Sequence, residues 1–397
     1  MKSATNFTFA RMPELHFGAG KLAQLPRLLA QHSPQPPRVL LVTGSASLLN
    51  STHYQKLSDA LNEAGIWFAQ AGMTGEPSPE FVDDISARYR AERLTWVVGI
   101  GGGSAMDAGK AISAMLPQQG SVTAYLEGIA SAQHDGRKTP YIAIPTSSGT
   151  GSEATKNAVL SQIGAQGFKS SLRHDNFVPD LALVDPELIL SCPPAVTAAC
   201  SLDALTQLLE AYVSTQASPL SDALAWSGLE HAKAGLIPAF THGATDLAAR
   251  SHMAYAAFLS GVALANAGLG VVHGLAGPIG AYHTIPHGVV CGTLLAEATR
   301  LTIETLFATP DQNPVALEKY AKVGVLLSGQ ASRSLRDDCA LLVETLQNWS
   351  EQTGIPRLSH YAISRTDFAK IVKKSNSKNG PVALSTAQMT ALLEARL

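Results

Sequence analysis

The chain reads as an N-terminal α/β domain with a parallel sheet of dinucleotide-binding type, followed by an all-α C-terminal domain. Three observations predict this. Short apolar, β-branched runs alternate with helical stretches through the first half. After about residue 188 such runs vanish, and long Ala/Leu-rich stretches with apolar residues at three-to-four spacing take over. A length of 397 residues exceeds one ordinary core and fits two. The expected domains are 1–187 and 188–397, abutting at Asp185-Pro186-Glu187, which reads as a helix start.

In order along the chain, Arg38–Thr43 is a buried strand stopped at Gly44-Ser45. Tyr54–Ala64 has helical spacing, ended by Gly65. Leu94–Ile100 is a second buried strand, closed by a glycine cluster, and Ser104–Leu116 follows as a helix with Ser104 as N-cap. Tyr141–Ile144, stopped by Pro145, and Leu181–Val184, stopped by Asp185-Pro186, complete the strands. The helical half comprises Pro194–Ser214, Ser218–Ile237, Ala244–Ala267, Val289–Phe307, Pro314–Leu327 and Arg333–Gln352.

Composition narrows the function. With 29 Lys and Arg against 31 Asp and Glu, nothing favours nucleic acid or an anionic membrane as partner. The N-terminus lacks an apolar signal core and no charge-free run is long enough to span a bilayer, so a cytoplasmic protein is expected. Cys192, Cys200, Cys291 and Cys339 form no CxxC pair and read as buried reduced thiols.

Two loops follow strands in the first half. Gly101-Gly102-Gly103-Ser104 precedes a helix; its glycines let backbone N–H groups approach a pyrophosphate, and the helix N-terminus adds partial positive charge. A tight strand-to-helix turn accounts for the same residues equally well. Asp107 and Lys110 follow, the lysine as ligand group or solvated face. Pro145-Thr146-Ser147-Ser148-Gly149-Thr150-Gly151-Ser152-Glu153 offers hydroxyls to ribose or phosphate, or a capping box to a helix. Paired loops at neighbouring strand ends suit a dinucleotide across the sheet edge. After Thr43, Gly44-Ser45-Ala46-Ser47 stands where an NAD-selective carboxylate is usual, which leans towards NADP being accepted.

The second half carries metal-type ligands. Asp203 and Gln207 lie four apart on one helix face, and His273, His283 and His287 sit among small and apolar residues. Asp203 also suits a helix cap near Leu202, and a lone histidine in an apolar stretch is usually a satisfied core residue. Jointly, in apolar surroundings, Asp203 and two imidazoles suit Zn²⁺ or Fe²⁺.

These motifs together resemble the iron-containing (group III) alcohol dehydrogenase family, of dehydroquinate synthase-like architecture. The resemblance runs in order over most of the chain. It implies hydride transfer between a small alcohol or aldehyde and NAD or NADP, with one divalent metal acting as Lewis acid in an inter-domain cleft. Position by position, the family's first, third and fourth metal ligands fall on Asp203, His273 and His287. The second, a histidine in the family, falls on Gln207, whose amide oxygen is a weaker donor. A family histidine four residues after the third ligand falls on Gly277, opening space where substrate should lie. Gly44, Gly102, Gly103, Ser104, Thr146, Ser147, Thr150 and Lys169 are the implied cofactor contacts, and Leu264 a pocket wall. A homodimer or larger assembly is also implied. Gln207 motivates a second reading, a metal-independent reductase of maleylacetate type with Arg173 and His174 supplying charge; a third is a nucleotide-binding protein that has lost catalysis.

Overall fold

The computed structural model describes residues 6–33, 35–44, 46–164, 167–309 and 311–397. The chain divides into two compact units, one built from Ala10–Gln162 with Lys169–Cys192, the other from Pro193–Leu397 together with Ile163–Phe168 and the N-terminal stretch that ends at Phe9. The division falls at Cys192–Pro193, a few residues beyond 187. Its cause is Asp185. The carboxylate accepts from Gly20 N (3.1 Å), Leu22 N (2.9 Å) and Glu187 N (3.1 Å), tying the turn Pro186–Ile189 to the sheet unit.

The sheet unit holds eight strands: β1 Glu14–Phe17, β2 Arg38–Thr43, β3 Trp67–Gly72, β4 Trp96–Gly101, β5 Tyr141–Pro145, β6 Asn157–Gln162, β7 Phe168–Arg173 and β8 Leu181–Val184. Six form one sheet in the order β1-β8-β5-β4-β2-β3, every pair parallel, and β6 with β7 forms a separate two-stranded sheet. Helices α1 Leu25–Gln31, α2 Ala46–Leu49, α3 Thr52–Glu63, α4 Pro79–Tyr89 and α5 Gly103–Met115 connect them. The four central strands are the ones whose β-branched runs predict them, because strands covered on both faces are apolar throughout. The edges β1 (ELHF) and β3 (WFAQAG) are short and half-exposed, and their mixed composition gave no continuous apolar run.

Two local expectations are corrected. The N-cap of α5 is Gly102, not Ser104, and no side chain caps it. The stretch 145–153 forms no capping box: it leads into a 3₁₀ turn, Ser152–Ala154, with Gly151 at its N-cap.

The other unit is helical: α6 Pro194–Tyr212, α7 Pro219–His242, α8 Leu247–Ala267, α9 Val271–Tyr282, α10 His287–Ala308, α11 Pro314–Ser328, α12 Leu335–Gln352, α13 Arg365–Lys373 and α14 Thr386–Ala395. No single helix among the described residues is long and apolar enough to cross a membrane. Helix α9 lies in a glycine-rich stretch with Pro278 inside it, so its intrinsic propensity is poor and packing holds it. The stretch after Lys373 is a loop laid against the start of α9: Asn379 N donates to Leu269 O and Asn379 O accepts from Thr215 N, both at 2.9 Å.

Candidate metal centre and nucleotide loops

Helix α6 begins at Pro194, so Asp203 lies in its middle and does not cap a helix near Leu202. Asp203, Gln207 and Glu210 recur at helical spacing on one face. His273 sits in the first turn of α9. His287 opens α10, and Cys291 follows one turn later. Glycines bring α10 against α6. A Cβ on Gly288 would stand 2.4 Å from Ala199 O, and one on Gly292 2.8 Å from Leu202 Cδ1. Any larger residue would push α10, with His287 and Cys291, away from Asp203.

Four donor atoms meet at this junction. Those of Asp203, His273, His287 and Cys291 all lie within 4.8 Å of one another. His273 Nε2 is 3.3 Å and His287 Nε2 is 3.8 Å from Asp203 Oδ1. Cys291 Sγ is 3.6 Å from His273 Nε2 and 3.7 Å from His287 Nε2. Asp203, His273 and Cys291 are buried; His287 is partly exposed. Burial pushes Asp203 up, but the His287 and His273 imidazoles more than offset it and hold the carboxyl at about 2. Burial likewise disfavours charge on His273, yet Cys291, Glu210 and Asp203 together raise it well above an ordinary histidine. Burial pushes the Cys291 thiol up to about 12 in the absence of a cation.

The cluster fits a divalent metal. Asp203 Oδ1 is buried and accepts no hydrogen bond; the His273 and His287 imidazoles, 3.3 and 3.8 Å away, face its charge, and a cation bonded by all three satisfies the oxygen directly. A tetrahedral ion with bonds of about 2.0–2.1 Å to nitrogen and oxygen sets those donors roughly 3.3 Å apart, close to the His273–Asp203 separation. Behind His273 stands Glu210. Its Oε2 is 2.7 Å from His273 Nδ1, and its Oε1 accepts from Val272 N at 2.7 Å. This leaves Nε2 of His273 turned to the cluster.

Gln207 is buried one turn beyond Asp203, and its Oε1 accepts from the Ser260 hydroxyl of α8 at 3.1 Å. A Cβ at Gly277 would meet nothing within 4 Å, so the position is open. His283 Nε2 lies 3.5 Å from Asp367 Oδ1. Leu264 is half-buried. Sequence reasoning missed two residues. Glu210 lies one turn beyond Gln207 on the same face and carries no signal of its own in the sequence. Cys291 passed as an ordinary buried thiol, although its i, i+4 spacing from His287 repeats that of Asp203 and Gln207.

The glycine loop lies in the sheet unit. Gly102, Gly103 and Ser104 form the uncapped N-terminus of α5, whose first N–H groups have no intrahelical acceptor. Gly44 N donates to Ile100 O (3.2 Å) and Thr146 N to Gly101 O (2.9 Å), so the ends of β2, β4 and β5 line up around that terminus. A Cβ on Gly103 would lie 2.7 Å from both Oγ1 and Cγ2 of Thr150, and one on Gly102 3.3 Å from Ser147 Oγ. Glycine is therefore required for this approach, and the uncapped helix start with its close-set backbone is of the kind that suits a pyrophosphate. Ser45 lies outside the described residues.

Lys110 is not a solvated side chain. It is buried, and its Nζ donates to Ser152 O (2.7 Å), Ser152 Oγ (3.2 Å), Thr155 Oγ1 (3.0 Å) and Asn157 O (2.9 Å). It fastens the 145–155 loop onto α5. Burial lowers its pKa to about 8 and raises that of neighbouring Glu153 to about 7. Lys169 pairs with Glu76 at 3.0 Å. Arg173 pairs with Glu127 at 2.8 Å, and His174 caps the turn Asp175–Phe177.

A glycine-lined helix start and a buried set of metal-type donors suit a nicotinamide-linked, metal-assisted oxidoreductase. Residues 13–186 match the family described as "Iron-containing alcohol dehydrogenase", and residues 197–397 match "Fe-containing alcohol dehydrogenase family, C-terminal". "Long-chain-alcohol dehydrogenase 1" of Geobacillus thermodenitrificans (strain NG80-2) is 32% identical over 96% of this chain and 95% of its own length. The "NADPH-dependent butanol dehydrogenase" of Clostridium saccharobutylicum is 31% identical over 91% of this chain and 88% of its own. A solved 1,3-propanediol oxidoreductase superposes with a TM-score of 0.86 at 29% identity, covering 99% of this chain and 100% of that one. The chain belongs to the iron-containing alcohol dehydrogenase family. Its activity is NAD(P)-dependent, metal-assisted interconversion of small alcohols and aldehydes.

Proposed function

We propose that this chain interconverts small, uncharged primary alcohols and their aldehydes, with Asp203, His273 and His287 holding the divalent cation. The observation that carries the reading is the convergence of these side chains, all donor atoms within 4.8 Å, around an Asp203 oxygen that is buried and accepts no hydrogen bond. A divalent cation held there supplies Lewis acidity toward an alcohol or carbonyl oxygen. Asp203 and Glu210 contribute negative charge, Glu210 by fixing the His273 tautomer. Gly102, Gly103 and Ser104 anchor the coenzyme pyrophosphate, with Gly44, Thr146, Ser147 and Thr150 forming the cradle wall.

Lys169 is assigned to the coenzyme site as a hydrogen-bond donor rather than as free charge, since its ammonium pairs with Glu76 at 3.0 Å. Relatives named for butanol and 1,3-propanediol support an uncharged substrate. Gly277 supports the same choice, because it leaves space beside α9 and brings no charge. The ion pair of Arg173 with Glu127 speaks against the carboxylate-binding reading, since that guanidinium is already matched. NADPH is favoured by the absence of a carboxylate directly after Thr43. The protein acts in the cytoplasm as a homodimer or larger homo-oligomer.

The test is turnover with butanal, 1,3-propanediol and a carboxylated aldehyde, using NADPH and NADH, before and after metal removal and restoration. Loss on stripping and recovery on reloading is expected for the uncharged substrates. Full activity in stripped protein, or activity confined to the carboxylated substrate, rejects the reading. Asp203→Asn should eliminate turnover while coenzyme binding, followed by fluorescence, survives.

A further inference from the structure

The donor set in this chain differs from the one its family resemblance implies. The helix face that should present an imidazole at position 207 presents an amide, a weaker and neutral donor whose oxygen stands 3.1 Å from the Ser260 hydroxyl. On the facing helix, one turn after His287, stands a thiol. Cys291 Sγ is fully buried and lies 3.6 Å from His273 Nε2 and 3.7 Å from His287 Nε2. A tetrahedral ion bonding sulfur at about 2.3 Å and nitrogen at about 2.0 Å places those two donors roughly 3.5 Å apart. Both observed separations meet that requirement without rearrangement. Asp203 Oδ1, buried and accepting no hydrogen bond, faces the same space, with His273 Nε2 and His287 Nε2 at 3.3 and 3.8 Å.

We propose that Cys291, rather than Gln207, is the fourth protein donor to the cation. The proposal rests on the metal-assisted reading above and refines it. Binding releases the thiol proton to solvent, and the sulfur electron pair so freed bonds the metal; no electron is gained or lost. Exchanging an amide for a thiolate makes the site softer than one built from Asp and three imidazoles, which shifts its preference toward zinc over iron. It also accounts for how the chain dispenses with an imidazole at 207. The loss on α6 is matched by a donor on α10, held in reach by Gly288 and Gly292.

Cobalt reports the donor set without reference to turnover. Full-length protein is stripped of metal and reloaded with one equivalent of Co²⁺. A thiolate donor produces an intense near-ultraviolet sulfur-to-cobalt charge-transfer band. The band is expected in the wild type and in Cys200→Ser, and absent in Cys291→Ser, whose Co²⁺ affinity should fall about tenfold or more. Co²⁺ bound by the wild type without that band removes Cys291 from the donor set and leaves the metal-assisted reading standing. Wild type that takes up no Co²⁺ removes both. If Cys291→Ser folds poorly, X-ray absorption on zinc-loaded wild type decides the matter: one sulfur scatterer supports the proposal, and a shell of nitrogen and oxygen alone overturns it.

Discussion

Replacing Glu210 with glutamine isolates the support that the helical unit gives to His273. The carboxylate makes two short bonds, to His273 Nδ1 and to Val272 N, each at 2.7 Å, and it is buried. Glutamine keeps the shape and retains one oxygen for the Val272 N–H, so the start of α9 stays in place. What it loses is the charge-assisted bond to the imidazole. A hydrogen bond to a charged group contributes about 1.5–3 kcal/mol. Removing an outer partner of a metal-bound histidine costs roughly 10–100-fold in metal affinity, which is about 1.4–2.7 kcal/mol. The two ranges agree because they describe the same bond. The assay is titration of metal-free protein with Zn²⁺ against a chromophoric chelator, with thermal unfolding of the metal-free protein as the control for folding. The expected result is a 10–100-fold weaker site in a metal-free protein that still unfolds cooperatively, its Tm lowered by no more than the several degrees that one such bond accounts for. A Glu210→Gln variant that binds Zn²⁺ within about twofold of wild type would refute the claim that Glu210 orients the ligand.

Gly103→Ala tests the nucleotide cradle. Its methyl would lie 2.7 Å from Thr150, an overlap that costs about 1–3 kcal/mol and displaces the loop, so NADPH binding should weaken while zinc affinity is unchanged; equal coenzyme affinity would separate Gly103 from the site. Glu153→Gln tests the buried carboxyl beside Lys110. The folded-state pKa of Glu153 is raised from 4.5 to about 7 by burial, so its contribution is fully present below about pH 4.5 and is lost as pH rises through 7. Glutamine removes that penalty. Denaturant unfolding should show the variant more stable than wild type at about pH 8, by up to about 3 kcal/mol, with the advantage gone near about pH 4. A pH-independent difference would show that Glu153 ionises freely in the folded protein.

How far the sequence reached depends on what each residue does. The four central strands were legible because each is covered on both faces and so reads as an uninterrupted apolar run. The edges β1 and β3 were not, since one side of an edge strand meets water and needs no such run. Helix α9 escaped for a different reason. Gly274 lies where a Cβ would strike Asn376 O, so glycine there serves close packing, at the expense of the propensity by which a helix is recognised. Lys110 illustrates the same limit among charges. Its position on α5 suggests solvent, and only the fold shows that four oxygens from the 152–157 segment surround it.

The metal centre joins these two lines of reasoning. Asp203, His273 and His287 were found from the sequence because polar groups in apolar stretches demand an explanation. Cys291 was not, because a thiol in an apolar helix demands none; free cysteine behaves there as a small hydrophobe. What changes its meaning is position. The first two turns of α10 carry His287 and Cys291 on one face, and the glycines at 288 and 292 press them onto α6 beside Asp203. A glycine-spaced helix contact thus turns an inert core residue into a candidate ligand. The amide at 207 and the thiol at 291 are best understood as one change distributed over two facing helices, with the donor lost from α6 regained on α10.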